Sequence, residues 1–495
     1  MVFNSIEFLI FFPIVLLLYF ILPQKLRWIM LLAASYYFYV SWNFSLIWLI
    51  MFTTAVSYVS SIIIERIKEK HPDGKKRWQE RFWLILTLAT SLGVLFFFKY
   101  FNFLSDSVSS IFNIFRAENK APLVLNLILP VGISFYTFQT LSYVIDVYKG
   151  SVKAEKHLGY YALYVSFFPQ LVAGPIERPE NLIPQLHAKH KFSWDNAIPG
   201  LRKMLIGFFK KMVVADLIAT YVNIVYNDPS SSTGFGVLVA TVLFSFQIYC
   251  DFSGYTDIAI GCSEVMGIRL MQNFNRPYIS ESIQEFWRRW HISLSSWFKD
   301  YLYFPLGGSR CKKWRHMLNI FIVFLVSGLW HGAAWTFVLW GVIHGVYQII
   351  GALTKKLREK GWRALRLDPA GRFVRAVRRV ITFALAAFAW IFFRANNFAE
   401  LGIILKKLFC DWTFSSDYFK ATLEHMELDA LSIVICALSL LIMQRMDIDG
   451  LCAKDETRKK SLLGIRYVYI VWIIIFAWLL LSLGDGTSAF IYFQF

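Results

Sequence analysis

Residues Met317–Leu353 read MLNIFIVFLVSGLWHGAAWTFVLWGVIHGVYQIIGAL, a run of 37 residues without Asp, Glu, Lys or Arg. As a single helix it would extend about 55 Å at the usual rise per residue. The hydrocarbon core of a bilayer is only about 30 Å thick. The run is therefore read as two membrane helices, with Gly328 and Gly332 offering the bend between them. His331 falls where these helices meet. An ionisable side chain at membrane depth is costly, which makes His331 a functional candidate by default. The alternative is a histidine hydrogen-bonded for packing alone. His344, farther along the second helix, is read as packing.

The composition around this run agrees with a membrane protein. The chain has 495 residues, of which 57% are hydrophobic, 18% aromatic and 17% charged. Soluble domains run at about 45–50% apolar with about a quarter charged. The excess excludes a soluble enzyme, a disordered chain and a disulfide scaffold. The apolar runs are continuous instead of alternating, so they are read as helices and not barrel strands. Candidate spans are Phe8–Leu22, Trp28–Trp42, Leu46–Ile64, Phe82–Leu104, Leu123–Tyr148, Tyr160–Val172, Met204–Tyr226, Phe235–Tyr249, Met317–Trp330, Ala333–Leu353, Val380–Phe393, Leu431–Met443 and Tyr467–Leu483. Several are short enough to be re-entrant, leaving roughly ten to twelve crossings. The whole, residues 1–495, is read as one all-α polytopic domain, with the first helix retained and not cleaved as a signal peptide.

The net charge is +18, which in a membrane protein reads as cytoplasmic-loop bias and not as nucleic-acid binding. Arg66–Arg81 carries seven basic residues against three acids, and Lys355–Arg379 carries ten against Glu359 and Asp368. Both are expected on the cytoplasmic side, and Arg445–Arg466 is a third basic segment. The cysteines, Cys250, Cys262, Cys311, Cys410, Cys436 and Cys452, form neither a C-x-x-C pair nor a zinc-type spacing, so no metal site is expected. The terminal FIYFQF suits a membrane interface.

Four further stretches carry polar chemistry. Glu285–Gly308, EFWRRWHISLSSWFKDYLYFPLGG, is too polar to span and is read as an amphipathic segment at the interface bearing Trp290 and His291. On its own, His291 is equally a surface residue of an interfacial anchor. Phe246–Ile258, FQIYCDFSGYTDI, places Gln247, Asp251, Ser253, Tyr255 and Asp257 just after an apolar run. Asp251 and Tyr255 are four apart, as are Ser253 and Asp257, so each pair shares a helix face. Two carboxylates there need partners or water. They either orient a histidine, line a polar tunnel or make a helix–helix contact. Leu129–Tyr143 and Phe167–Ile176 contain Pro and Gly within apolar surroundings. Broken backbone at depth is tolerated only where it is buried in protein or lines a cavity.

At these residues the sequence resembles the membrane-bound O-acyltransferases (MBOAT), and most closely their bacterial alginate O-acetyltransferase (AlgI-like) branch. The resemblance rests on WRRWHISL, SGLWHGAAWTFVLWGVIHG, FFPQLVAGPI, FQIYCDFSGYTDIAIG and LPVGISFYTFQTLSY, and runs over nearly the whole chain. It implies a ring of helices around a thinned centre, where a cytoplasmic channel and an outer funnel meet. It also implies that His331 is catalytic and His291 the second polar residue. Many family members have Asn at that second position. The expected reaction moves an acetyl group from a cytoplasmic thioester, acetyl-CoA, to an exported polysaccharide. His331 takes the proton of the acceptor hydroxyl or of an intermediate carrier. His291, Asp251 or Ser253 orients it or stabilises the oxyanion. Gln247, Tyr255, Trp290 and Trp330 are the remaining candidate substrate-lining residues.

No bound cofactor is implied. The expected partners are an extracytoplasmic SGNH-type acetyltransferase, the polysaccharide and the lipid bilayer, with an acyl carrier protein as a possible donor. The basic rim Arg288, Arg289, Lys299, Arg310, Lys312 and Lys313 either attracts a phosphorylated donor or anchors the cytoplasmic side. The expected location is the bacterial cytoplasmic (inner) membrane. D-alanyl transfer from a carrier protein to teichoic acid is the alternative cargo, and the long segment after Phe393 favours acetyl. A transporter without chemistry is the third reading. It is disfavoured because the chain lacks the internal symmetry common in transporters.

Overall fold

The computed structural model describes residues 1–116, 121–125, 127 and 129–452. Among the described residues every regular element is helical. Six helical stretches are long and apolar enough to cross a membrane, Phe44–Lys70, Arg77–Asn113, Gly234–Val265, Trp335–Ala364, Arg372–Arg394 and Ala430–Ile448. Ile6–Ile21 is a shorter apolar helix. The chain is thus an all-helical, multi-pass membrane protein, as its composition requires. The expected span Tyr467–Leu483 and the FIYFQF terminus lie outside the described residues.

Contacts divide the chain into two compact units, Met1–Met204 with Ile258–Met271, and Leu205–Asp257 with Gln272–Phe495. The first contains α1 (Ile6–Ile21), α2 (Gln24–Val40), α3 (Ile47–Lys70), α4 (Arg77–Leu95), α5 (Phe101–Arg116), α6 (Ile133–Lys149), α7 (Leu158–Ser166) and α8 (Pro179–His187). A π-helical stretch, Phe96–Tyr100, joins α4 to α5. α3 packs on α4, α6 and α7. Its buried face is polar and small, with Thr53, Thr54, Ser57, Ser60 and Ser61. Ser57 returns its hydroxyl proton to the α3 carbonyls and accepts from Tyr161 at 2.6 Å. Small residues of this kind allow close helix approach where burial of apolar surface gives no driving force.

The expected span Leu123–Tyr148 is only partly helical. α6 begins at Ile133, after Pro130 and a Gly132 with φ of 75°. A side chain on Gly132 would lie 2.7 Å from the Leu171 carbonyl, so close approach as well as conformation requires glycine. Likewise α7 stops at Ser166, and Phe167–Gly174 runs as buried turns around Pro169. Two of the broken stretches flagged in the sequence therefore pack on each other. Gln139 and Gln170 both donate to the Tyr164 carbonyl, at 2.7 and 2.8 Å, supplying the partners that broken backbone needs.

The last residues of α9 (Trp194–Phe208) belong to the second unit, which contains α10 (Asp216–Asn227) and most of α11 (Gly234–Val265). It continues through α12 (Ile283–Arg289), α13 (Ile292–Phe298), α14 (Lys313–His331), α15 (Trp335–Ala364) and α16 (Arg372–Arg394), then α17 (Phe398–Cys410), α18 (Ser416–His425) and α19 (Ala430–Cys452). The expected span Phe235–Tyr249 is exceeded, because α11 continues through the polar cluster to Val265. The basic stretch Lys355–Arg379 is helical at both ends, since it forms the last turns of α15 and the first of α16. α14 and α15 form the tightest pair. A side chain on Gly328 would sit 2.4 Å from the Phe337 carbonyl and 3.2 Å from the Gly341 Cα. Gly328 thus serves the crossing of these helices, while the bend lies at Gly332–Ala334.

Candidate active site

His331 is the last residue of α14 and is buried. The helix ends there because Gly332 turns to extended backbone, with φ of −159° and ψ of 153°. A side chain at Gly332 would meet the Phe337 ring at 2.2 Å, so any larger residue must displace that ring. An imidazole that takes up a proton there lies at the negative end of the helix dipole. Its ring is held edge-on by Trp330 at 5.0 Å, Trp340 at 4.9 Å and Phe393 at 5.3 Å, centroid to centroid.

His291 breaks the amphipathic segment in two. Expected as one interfacial stretch, the segment is α12 and α13 with His291 between them in the left-handed region at φ 43°, ψ 57°. Histidine is among the residues that enter this region more readily than most. The side chain is fully buried, which excludes the surface-anchor reading. The two residues that follow His291 are clamped: Ile292 N–H donates to the Asn273 carbonyl at 2.9 Å, and the Ser293 hydroxyl donates to Asn273 Oδ1 at 2.6 Å. The His291 ring meets Phe252 of α11 at 4.7 Å and Trp330 at 6.0 Å. Trp330 is therefore the shared neighbour of both imidazoles, and the two sequence-predicted histidines belong to one aromatic cluster.

Trp290 is buried against Trp390 at 4.9 Å, Phe274 at 5.1 Å and Phe286 at 5.4 Å. His344 is fully buried, and its Nδ1 accepts from Trp287 Nε1 at 3.2 Å. Trp340 stands 4.9 Å from both His344 and His331.

Gln247, Asp251, Ser253 and Tyr255 are all buried in α11. Gln247, Asp251 and Tyr255 fall four residues apart along one stripe, while Ser253 lies on another face. The α11 carboxylates take cationic partners that sequence reasoning missed. Lys210 and Lys211 are buried in a π-helical stretch, Phe209–Ala215. Lys211 Nζ lies 2.6 Å from Asp251 and 2.9 Å from Asp216. Lys210 Nζ lies 2.8 Å from Asp257 and 2.7 Å from Asp447. Gly254 permits this approach, since a side chain there would lie 2.8 Å from the Gly207 carbonyl and 3.1 Å from the Lys211 backbone nitrogen. The signal was available, because two lysines inside the apolar run Met204–Tyr226 demand partners.

Of the basic rim, Arg289 is paired with Glu285 at 2.8 Å, and Lys299 lies over the Phe304 ring at 5.5 Å. Among the described residues no group of three or more His, Cys, Asp or Glu is disposed to hold a metal ion.

The family described as MBOAT, membrane-bound O-acyltransferase, matches residues 35–392. That range contains both histidines and the paired lysines. A probable alginate O-acetylase, AlgI, of Azotobacter vinelandii is 39% identical over 87% of this chain and 83% of its own length. A peptidoglycan O-acetyltransferase of Helicobacter pylori is 35% identical over 82% of this chain and 79% of its own. A teichoic acid D-alanyltransferase of Bacillus subtilis is 32% identical over 55% of this chain and 70% of its own. The chain belongs to the membrane-bound O-acyltransferase family.

Proposed function

We propose that this O-acyltransferase takes an acetyl group from a cytoplasmic thioester, acetyl-CoA, and passes it through the membrane for O-acetylation of an exported or cell-envelope polysaccharide, with His331 as general base. The hydroxyl oxygen of the acceptor, or of an intermediate carrier, attacks the thioester carbonyl while the His331 imidazole takes its proton. Collapse of the tetrahedral intermediate breaks the C–S bond, and the imidazolium returns the proton to the leaving thiolate. His291 donates to, or orients, the developing oxyanion from the other side of Trp330. The observation that carries this reading is the single aromatic cluster in which Trp330 touches both His331 and His291.

Acetyl is preferred over D-alanyl because relatives named as O-acetylases align over more of the chain, and at higher identity, than the D-alanyltransferase. The basic rim suits a phosphorylated donor, whether coenzyme A or the arm of an acyl carrier protein. The site of action is the bacterial inner membrane, and an extracytoplasmic SGNH-type acetyltransferase completes delivery to the polymer.

Label transfer from radiolabelled acetyl-CoA, in membranes containing the polysaccharide acceptor, tests the proposal. General-base catalysis contributes about 10²–10⁴-fold, so a folded His331→Ala protein should lose activity by that factor. Near-normal transfer by that variant defeats the assignment. Label carried by D-alanine and not by acetate selects the other cargo.

A further inference from the structure

The family match ends at residue 392, yet a carboxylate from beyond that point reaches the buried network of the second unit. Asp447 lies on α19, with Oδ1 2.7 Å from Lys210 Nζ. Its other oxygen, Oδ2, accepts the Tyr249 hydroxyl proton at 2.5 Å. The Lys210 ammonium also lies 5.6 Å from the centroid of the Tyr249 ring. One carboxylate thus fixes both the lysine and the phenol. The remaining lysine contact, Asp257, comes from α11, the helix that also carries Tyr249.

Tyr249 in turn stands behind the candidate active site. Its ring meets Phe274 and Tyr278, each at 5.7 Å, and Trp290 at 6.2 Å. Trp290 immediately precedes His291. Phe274 meets Phe252 at 5.0 Å, and Phe252 meets the His291 imidazole at 4.7 Å. Aromatic contacts of this kind prefer edge-to-face geometry, so a rotation of one ring is felt by the next. A tyrosine freed from its acceptor would leave a buried hydroxyl unsatisfied, which favours reorientation of the ring.

We propose that Asp447 of α19 is a positioning residue for acyl transfer, holding Tyr249 and Lys210 so that the wall of Phe274, Trp290 and Phe252 keeps His291 in place. The segment following the family-matched region is then part of the catalytic support and not only a membrane anchor. This rests on the proposed part of His291 in the transfer.

The test uses the full chain in membranes and in detergent, with D447N, Y249F and the double variant. Asn at 447 leaves Lys210 its Asp257 partner, and Phe at 249 leaves Lys210 both carboxylates, so the lysine stays paired in each single variant. D447N should lower kcat about tenfold with KM for acetyl-CoA unchanged. The double variant should be no more than about twofold worse than D447N, because both changes act through the same ring. Hydrogen exchange of the backbone over residues 290–298 should quicken at least fivefold in D447N, with the thermal unfolding midpoint kept. Wild-type kcat per folded molecule together with unchanged exchange at 290–298 overturns the proposal, as does a loss of activity that only follows loss of folded protein. Absence of acetyl transfer in the wild type would defeat the functional reading, and the exchange measurement would still decide this one.

Discussion

Lys211 Nζ lies 2.6 Å from Asp251 Oδ1, and both side chains are buried. Two charges removed from water in this way hold each other in place, and the pair is far less expensive than either member alone. Removing one partner of a buried pair typically costs about 3–5 kcal/mol, whereas replacing both with apolar groups is often neutral. Lys211→Met is therefore expected to lose stability of that order, since Asp251 keeps its burial and loses its counter-charge. The double change Lys211→Met, Asp251→Leu should recover part of the loss. Thermal unfolding in detergent checks both, and a Lys211→Met protein as stable as wild type would show that the pair does not hold α11.

His291 occupies the left-handed region, and the prediction there separates backbone from chemistry. Asn enters that region easily, while β-branched residues do not. His291→Asn should fold with an unfolding midpoint near wild type and lose at least about tenfold in acyl transfer, as one positioned hydrogen-bonding group is weakened. His291→Val should add a backbone penalty of about 1–2 kcal/mol to the same loss of activity. Equal midpoints for the two variants would mean that the left-handed geometry at 291 is relaxed without cost.

The gross architecture was legible because it depends on apolar run length, and run length is a property of consecutive residues. The break at His331 could be read for the same reason: a run of 37 residues without Asp, Glu, Lys or Arg, with Gly332 inside it, is too long for one crossing. What escaped was decided by contacts distant in sequence. From the sequence alone Asp251 could orient a histidine, line a polar tunnel or make a helix–helix contact; the structure pairs it with Lys211, forty residues earlier. Asn273, which clamps Ile292 and Ser293, the two residues that follow His291, lies in a stretch with no periodic signal. The full burial of His291 was also hidden, since WRRWH has the composition of an interfacial helix and only the break after Arg289 turns it inward.

Glu177 supplies a pH-dependent term in the first unit. It follows the buried turns of Phe167–Ile176 and accepts from the Met271 backbone N–H and from Asn181 Nδ2, the latter at 2.6 Å. Burial pushes its carboxyl up to about 7, and the hydrogen bonds from Met271 and Asn181 only partly oppose this. The unfolded chain ionises near 4.5, so between these values the unfolded state binds fewer protons than the folded one. Stability should therefore fall as pH rises from about 4.5 to about 7, by roughly 3 kcal/mol in total, and level off above. Glu177→Gln should flatten that part of the profile. An unfolding midpoint in detergent whose pH dependence is the same in both proteins would remove Glu177 as its source.

Gly332 and Gly351 offer a paired test of what the WHG turn requires. At Gly332 a methyl group would lie 2.2 Å from the Phe337 ring, while at Gly351, inside α15, it would meet nothing within 4 Å. Neither glycine has a positive φ, so at neither position does the backbone itself demand glycine. Overpacking a filled site costs about 1–3 kcal/mol, and the strain is relieved by moving neighbours. At 332 the immediate neighbour is His331, whose ring is set between Trp330, Trp340 and Phe393. A displacement of about 1 Å at a catalytic group is enough to cost about 10²-fold in rate. Gly332→Ala should accordingly lose stability and most of its acyl transfer, and Gly332→Ala combined with Phe337→Leu should regain part of both. Gly351→Ala should gain up to about 1 kcal/mol from helix propensity and leave transfer unchanged. A Gly332→Ala protein with wild-type activity would mean that the imidazole at 331 is free to shift without consequence, which a positioned base cannot be.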